Sequence, residues 1–220
     1  SQTAQSGSRT MIEQGSPEWF AQRCGKATAS KIADIIAKTK SGPSASRKNY
    51  KAQLVAERLT GTVAESYSNA AMQWGTDHEE EARDAYAFLH ADGIEVTKAE
   101  FVIHPSIPDS GASPDGYVGD DGLVEIKAPN TATHIDTLLS GKVPSKYITQ
   151  MMWQMACTGR QWCDFVSYDP RLPAHLSLFV KRVHRDQSKI IELETEVSAF
   201  SREVSAQVSA LEALSIGEAA

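Results

Sequence analysis

The chain predicts a single α/β domain with a central β-sheet flanked by helices. Strand-like runs cluster between Ile94 and Lys127, an apolar helical pattern follows over 145–158, and two more strand-like runs come near Cys163 to Tyr168 and Leu176 to Val183. Strands interleaved with helices of that length build a sheet covered by helices. At 220 residues the chain holds one sizeable core, and no repeat or linker divides it. Residues 1–10 read as a disordered polar lead, and 11–220 as the one domain, ending in a long helix.

Ser16-Pro17-Glu18 supplies an N-cap, a proline at the first helical position and an acid in the first turn. The short helix that follows places Trp19 and Arg23 on one face. A second helix opens at Thr28-Ala29-Ser30, with Ile32, Ile35 and Ile36 as its buried stripe. Lys40 to Ser46 is loop by composition, and helical patterns resume over about 47–60 and 68–91. The first strands are Ile94 to Ile103, Ser110 to Tyr117 and Leu123 to Lys127. The helix over 145–158 buries Ile148, Met151, Met152 and Met155. In the last helix, 187–213, Leu193, Val197, Phe200, Val204, Val208 and Leu211 recur at spacings of three and four, a stripe that packs on the same domain or in part on a partner subunit.

Composition is that of a soluble globular protein, 41% apolar and 23% charged. No apolar run approaches the ~18 residues of a membrane span, and no signal peptide is visible, so no membrane association is expected. Cys24, Cys157 and Cys163 lack C-x-x-C spacing and read as reduced thiols of a cytoplasmic protein. A formal net charge of −6 argues against a uniformly basic nucleic-acid binder. The charge is uneven, however: residues 186–220 carry seven acids against Lys189 and Arg202. Lys38, Lys40, Arg47, Lys48 and Lys51 form a stretch without an acid, either a basic binding surface or a solvated loop.

Ser113-Pro114-Asp115-Gly116 and Glu125-Ile126-Lys127 carry the chemistry. The first sets an acid behind a tight turn. In the second, side-chain alternation sends Glu125 and Lys127 to one face of a strand and Val124 and Ile126 to the other. A hard divalent cation such as Mg2+ takes carboxylate oxygens and keeps several waters, and an adjacent lysine holds or deprotonates one of those waters for attack on a phosphodiester. An E-x-K strand edge serves equally well as a structural ion pair. Arg23 beside Thr28-Ala29-Ser30 joins a guanidinium, a hydroxyl and a helix N-terminus into an anion pocket, unless Ser30 is only a cap. Glu79, four residues before Arg83, offers a third carboxylate or a plain helix-surface pair. Gln150 and Gln154 share one helix face beside Tyr147, where a glutamine orients a water or merely contacts solvent. His78 reads as structural, because magnesium prefers oxygen donors.

The order of these motifs resembles phage lambda exonuclease and its relatives among the viral alkaline exonucleases, within the PD-(D/E)xK nuclease superfamily. The resemblance rests on Glu13-Gln14-Gly15, Trp19, Arg23, Gly25 and Thr28-Ala29-Ser30. It continues through Trp74-Gly75 with Glu79, the Ser113–Gly116 and Glu125–Lys127 motifs, Gln150, and Tyr168-Asp169-Pro170-Arg171. It implies a restriction-endonuclease-like core built on a mixed sheet. It implies that Asp115, Glu125, Glu79 and the Ile126 carbonyl hold two Mg2+ ions (Mn2+ as substitute), that Lys127 activates or positions the water, and that Gln150 stands beside them. By the same resemblance, Arg23, Ser30 and Ser113 hold a 5′-phosphate, Lys40 takes the place of a phosphate-binding arginine, and Met72 wedges the duplex end. The implied activity is processive 5′→3′ digestion of one strand of linear double-stranded DNA to mononucleotides, leaving a 3′ overhang. The implied partners are two further copies in a trimeric ring and a single-strand annealing protein, in a bacterial host carrying a phage or prophage. A site-specific endonuclease and a catalytically silent DNA-binding scaffold are the competing readings.

Overall fold

The computed structural model describes residues 11–63 and 68–217; the lead read over 1–10 lies outside them. The chain begins with α1 (Pro17–Arg23), where the Ser16 side chain caps the Trp19 N–H at 3.2 Å and Pro17 stands in the first turn. The guanidinium of Arg23 lies 4.3 Å from the Trp19 ring, as the four-residue spacing predicts. After β1 (Ala27–Thr28) comes a 3-10 turn over Ala29–Lys31 and then α2 (Ile32–Ile36), which buries Ile32 and Ile35. The segment read as loop makes a hairpin of β2 (Lys38–Thr39) and β3 (Gly42–Pro43) before Ser44 caps α3 (Ala45–Thr60). Asn69 caps α4 (Ala70–His90).

The first two strand-like runs each divide between two sheets. The first gives β4 (Val96–Thr97) and β5 (Val102–Ile103), and the second gives β6 (Ser110–Ala112) and β7 (Gly116–Val118). The divider in the second is Ser113-Pro114-Asp115: proline has no N–H for a ladder, and the chain leaves one sheet there and joins the other. Gly116 follows because a Cβ at this position would meet Val124 Cγ1 at 2.9 Å and the Thr97 carbonyl at 3.0 Å. Then come β8 (Gly122–Lys127), α5 (Thr131–Ser140), α6 (Ser145–Thr158), β9 (Trp162–Tyr168), β10 (Leu178–His184) and α7 (Gln187–Gly217).

The central sheet has the order β10-β9-β8-β7-β4 and is mixed: β8 and β9 run parallel, and the other pairs are antiparallel. A smaller sheet, β1-β6-β5, leads into it through the Asp115 turn. Helices cover both faces of the central sheet, which is the restriction-endonuclease-like α/β architecture. On one face Leu123, Cys163 and Phe165 pack with Met151, Met155 and the α7 stripe Ile190, Leu193, Val197, Phe200 and Val204. On the other, Val124, Ile126 and Val166 pack with Ala82 and Tyr86 of α4. The α7 stripe packs on its own domain as far as Val208, while Leu211 is exposed. Helix α5 has no counterpart in the sequence reading, because its buried residues are His134 and Thr137 while Ile135 and Leu139 face outward. Among the described residues no helix is long and apolar enough to cross a membrane.

Much of the acid-free stretch is engaged internally. Arg47 grips Glu203 of α7 through two hydrogen bonds of 2.8 and 3.0 Å, Lys51 joins at 3.0 Å, and Lys38 lies 3.6 Å from Glu196. The Arg47 and Lys51 contacts hold the Glu203 carboxyl at about 2, against an ordinary 4.5. A depressed carboxyl contributes stability above its unfolded pKa and loses it as pH falls toward the folded one. The Glu203→Gln variant should therefore show a shallower fall in stability between pH 4.5 and about 2, read from urea melts at stepped pH, the slope being compared with that of the parent.

Candidate active site

The Asp115 turn and strand β8 meet where β7 stops pairing. The Asp115 N–H bonds the Val124 carbonyl at 3.2 Å, and its carboxylate accepts the Ile126 N–H at 2.6 Å. A strand residue presents its N–H and C=O to the same side, so the Ile126 carbonyl opens toward Asp115. Glu125 is buried on the α6 face, and both of its oxygens are clamped: Gln150 donates to Oε1 at 2.9 Å and Gln154 to Oε2 at 2.7 Å. Lys127 reaches the same Oε1 at 3.0 Å, with its ammonium 4.7 Å from the Tyr147 ring. Glu125 and Lys127 thus share one face of β8, as the alternation requires. The two glutamines, however, are buried and turned to the acid, not to solvent.

Helix α4 brings the third carboxylate. Glu79 accepts from Arg83 at 2.6 Å, and Arg83 also donates to the Asp115 backbone carbonyl at 3.0 Å. Burial, then Glu125, then Glu79 push the Asp115 carboxyl well above the usual carboxylate range. Burial raises Glu79 too, with Arg83 opposing and Glu125 adding to it. Burial works to lower the Lys127 ammonium, but Glu125 and Asp115 outweigh it and raise its pKa. The neighbouring acids thus hold Lys127 as an ammonium in the ion-free protein.

These donors fit a hard divalent ion. Repelling carboxylates, a backbone carbonyl and a partly exposed Asp115 are oxygen ligands short of positive charge. Among the described residues no three His, Cys, Asp or Glu side chains form a ready-made cage; Mg2+ held by one or two carboxylates, a carbonyl and waters needs none.

The turn also joins these acids to an anion pocket. Arg23 donates to the Ser113 hydroxyl at 2.5 Å, and its guanidinium lies 5.3 Å from the Phe101 ring. Burial lowers Arg23 to about 10, which leaves it charged at neutral pH. No carboxylate pairs with it among the described residues. Arg23, Ser30, Lys26 and Lys31 line one pocket of about 140 Å3. A larger hollow of about 320 Å3, lined by Ile107, Asp109, Ser198 and Arg202 among others, contains none of these groups.

One expectation changes. Thr28 is a strand residue whose N–H goes to the Tyr50 hydroxyl at 3.1 Å, and Ser30 is exposed in a 3-10 turn ahead of the five-residue α2. The positive character of the pocket therefore comes from Arg23, Lys26 and Lys31, set against Glu57 in the same lining, and not from a helix end. Lys40 sits exposed at the tip of the β2–β3 hairpin, outside the lining of the pocket. Met72 is exposed in the first turn of α4. His78 is structural: it stacks on Trp74 at 3.7 Å and contacts the Trp74 carbonyl at 2.8 Å. The sequence reading missed Gln154 and Arg83 as parts of the site, although each stands four residues from a candidate on the same helix face. It also left Arg171 without a role; its guanidinium covers the Trp74 ring at 4.3 Å while bonding Asp169 and the Pro129 carbonyl.

Two crystal structures of an alkaline exonuclease from Laribacter hongkongensis, LHK-Exo, are similar to the chain at 52% and 51% identity, the first in complex with dAMP. Each match has a TM-score of 0.86 and covers 92% of this chain and 99% of that one. A phage-related exonuclease from Haemophilus somnus 129PT shares the fold at 18% identity, with a TM-score of 0.69 and coverage of 84% and 96%. No curated protein matches the chain. The family model of the YqaJ-like viral recombinase domain matches residues 18–161. With that match, the mixed sheet and the Asp115–Glu125–Lys127 constellation, the chain belongs to the YqaJ-like viral recombinase family of the PD-(D/E)xK nucleases.

Proposed function

We propose that the protein is a Mg2+-dependent 5′→3′ exonuclease that digests one strand of linear double-stranded DNA to 5′-mononucleotides and leaves a 3′ overhang. One observation carries the proposal: a single turn carries Asp115, whose carboxyl is crowded by Glu125 and Glu79, and Ser113, whose hydroxyl accepts from Arg23, a guanidinium with no carboxylate partner among the described residues. The likeness to an alkaline exonuclease bound to dAMP, a nucleotide with a 5′-phosphate, supports it. Asp115, Glu125, Glu79 and the Ile126 carbonyl would hold the divalent ions. When bound, these ions supply Lewis-acid polarisation of the scissile phosphate and a water of lowered pKa. The protein's own share is positional. Gln150 and Gln154 lock Glu125, Lys127 orients the attacking water, and Arg23 with Ser113 receives the 5′-phosphate exposed by each cut. Met72 parts the end of the duplex.

By the same family reasoning the working form is a trimeric ring around DNA in the cytoplasm of a phage host, paired with a single-strand annealing protein. Sedimentation of the purified protein with and without duplex tests the ring. For the activity, linear duplex labelled separately at each 5′ and 3′ terminus is incubated with Mg2+, with Mn2+ and with chelator. Metal-dependent release of 5′ label as mononucleotide is expected. Release from 3′ ends only, cutting of closed circles, or end-binding without release contradicts it. Arg23→Ala should reduce the preference for 5′-phosphorylated over 5′-hydroxyl ends by about 10- to 100-fold, the worth of hydrogen bonds to a charged group. Initial rates on the two substrates measure it, and an intact preference places end recognition elsewhere.

A further inference from the structure

Three acids face two cations in this site: Lys127 serves Glu125, and Arg83 serves Glu79. Arg83 is buried, and a buried guanidinium is retained only where its donors are used. Its donors join two parts of the fold. One nitrogen binds Glu79 Oε1 at 2.6 Å, and another binds the backbone carbonyl of Asp115 at 3.0 Å. The third acid is thereby tied to the turn that carries the first. Helix α4 is fastened further along by Tyr86, whose hydroxyl donates to Asp164 of β9 at 2.5 Å, and by Tyr168, whose hydroxyl donates to Glu81 at 2.6 Å. Those fasteners fix the helix on the sheet; Arg83 fixes the carboxylate itself.

We propose that Arg83 is a positioning residue for the metal-side acids and sets how tightly the site takes up its divalent ion. This rests on the reading of Asp115, Glu125 and Glu79 as ligands. The guanidinium occupies one oxygen of Glu79 and leaves Oε2 for a cation, while its second bond keeps Glu79 and Asp115 at a fixed separation. Partners that orient metal ligands in this way are worth about 10- to 100-fold in metal affinity. A lysine replaces the fork only in part, because its ammonium is a compact charge on a flexible stem and lacks the planar, fixed spacing of the guanidinium donors.

The test is Mn2+ binding to the intact protein without DNA, by calorimetry and by electron paramagnetic resonance, for the parent, Arg83→Lys and Arg83→Gln. Release of 5′ label is then followed as Mn2+ is raised. Arg83→Gln is expected to weaken Mn2+ binding by about 10- to 100-fold and to shift the metal requirement of the reaction equally. Arg83→Lys should recover only part of the loss. A lower Tm with unchanged Mn2+ affinity in Arg83→Gln reduces Arg83 to a structural pair and overturns the proposal, as does full recovery by Arg83→Lys. If Arg83→Gln does not fold, Arg83→Lys alone decides by the same measurement. A parent that binds no Mn2+ defeats the metal reading itself; a parent that binds Mn2+ and digests DNA alongside unaffected variants defeats only the role of Arg83.

Discussion

Asp115→Asn is expected to lower strand digestion by about 10³-fold or more, since losing a carboxylate ligand forfeits several kcal/mol of charge stabilisation. The fold should persist. An asparagine oxygen still reaches the Ile126 N–H that the carboxylate accepts at 2.6 Å. Burial and two neighbouring acids raise the Asp115 carboxyl, so its ionised form opposes folding as pH rises from the unfolded pKa to the folded one. Removing that charge relieves repulsion in the ion-free protein. In chelator at neutral pH the variant should melt at or above the parent's Tm, and added Mg2+ should raise the parent's Tm but not the variant's. A variant digesting DNA at the parent's rate would remove Asp115 from the site.

Lys127→Ala is expected to lower turnover by about 10²- to 10⁴-fold, the range for a positioned proton-handling group. Binding to duplex ends should persist, because Arg23, Ser113 and the carboxylates are untouched. Glu125 keeps its two amide donors at 2.9 and 2.7 Å, so the acid stays oriented. Fluorescence anisotropy with end-labelled duplex separates the two effects. Undiminished turnover would take the lysine out of the mechanism, and lost binding would make its role one of substrate capture.

The acids and the lysine were legible in the sequence because two short-range rules govern them. Alternation along β8 turns Glu125 and Lys127 to one side, and a proline-interrupted turn carries Asp115 out of a ladder. Pairing at four residues likewise linked Glu79 to Arg83 and Arg23 to Trp19. What failed was long-range. Gln150 came to the site only by resemblance and Gln154 not at all, because nothing local shows that β8 lays Glu125 beneath them. The basic stretch looked free because its partners, Glu203 and Glu196, lie on the last helix. Helix α5 escaped notice because its inner face is polar: His134 meets the Ser167 hydroxyl at 2.7 Å and the Leu176 carbonyl at 2.8 Å. Lys40 rests on a family position alone, and the hairpin tip that carries it is exposed.

Anomalous diffraction from crystals soaked in Mn2+ addresses the central claim most directly. The account predicts a peak bounded by the Asp115 and Glu125 carboxylates and the Ile126 carbonyl, with Glu79 turned toward it. A soaked crystal that diffracts well but carries no peak there, or carries its manganese only elsewhere, would contradict it.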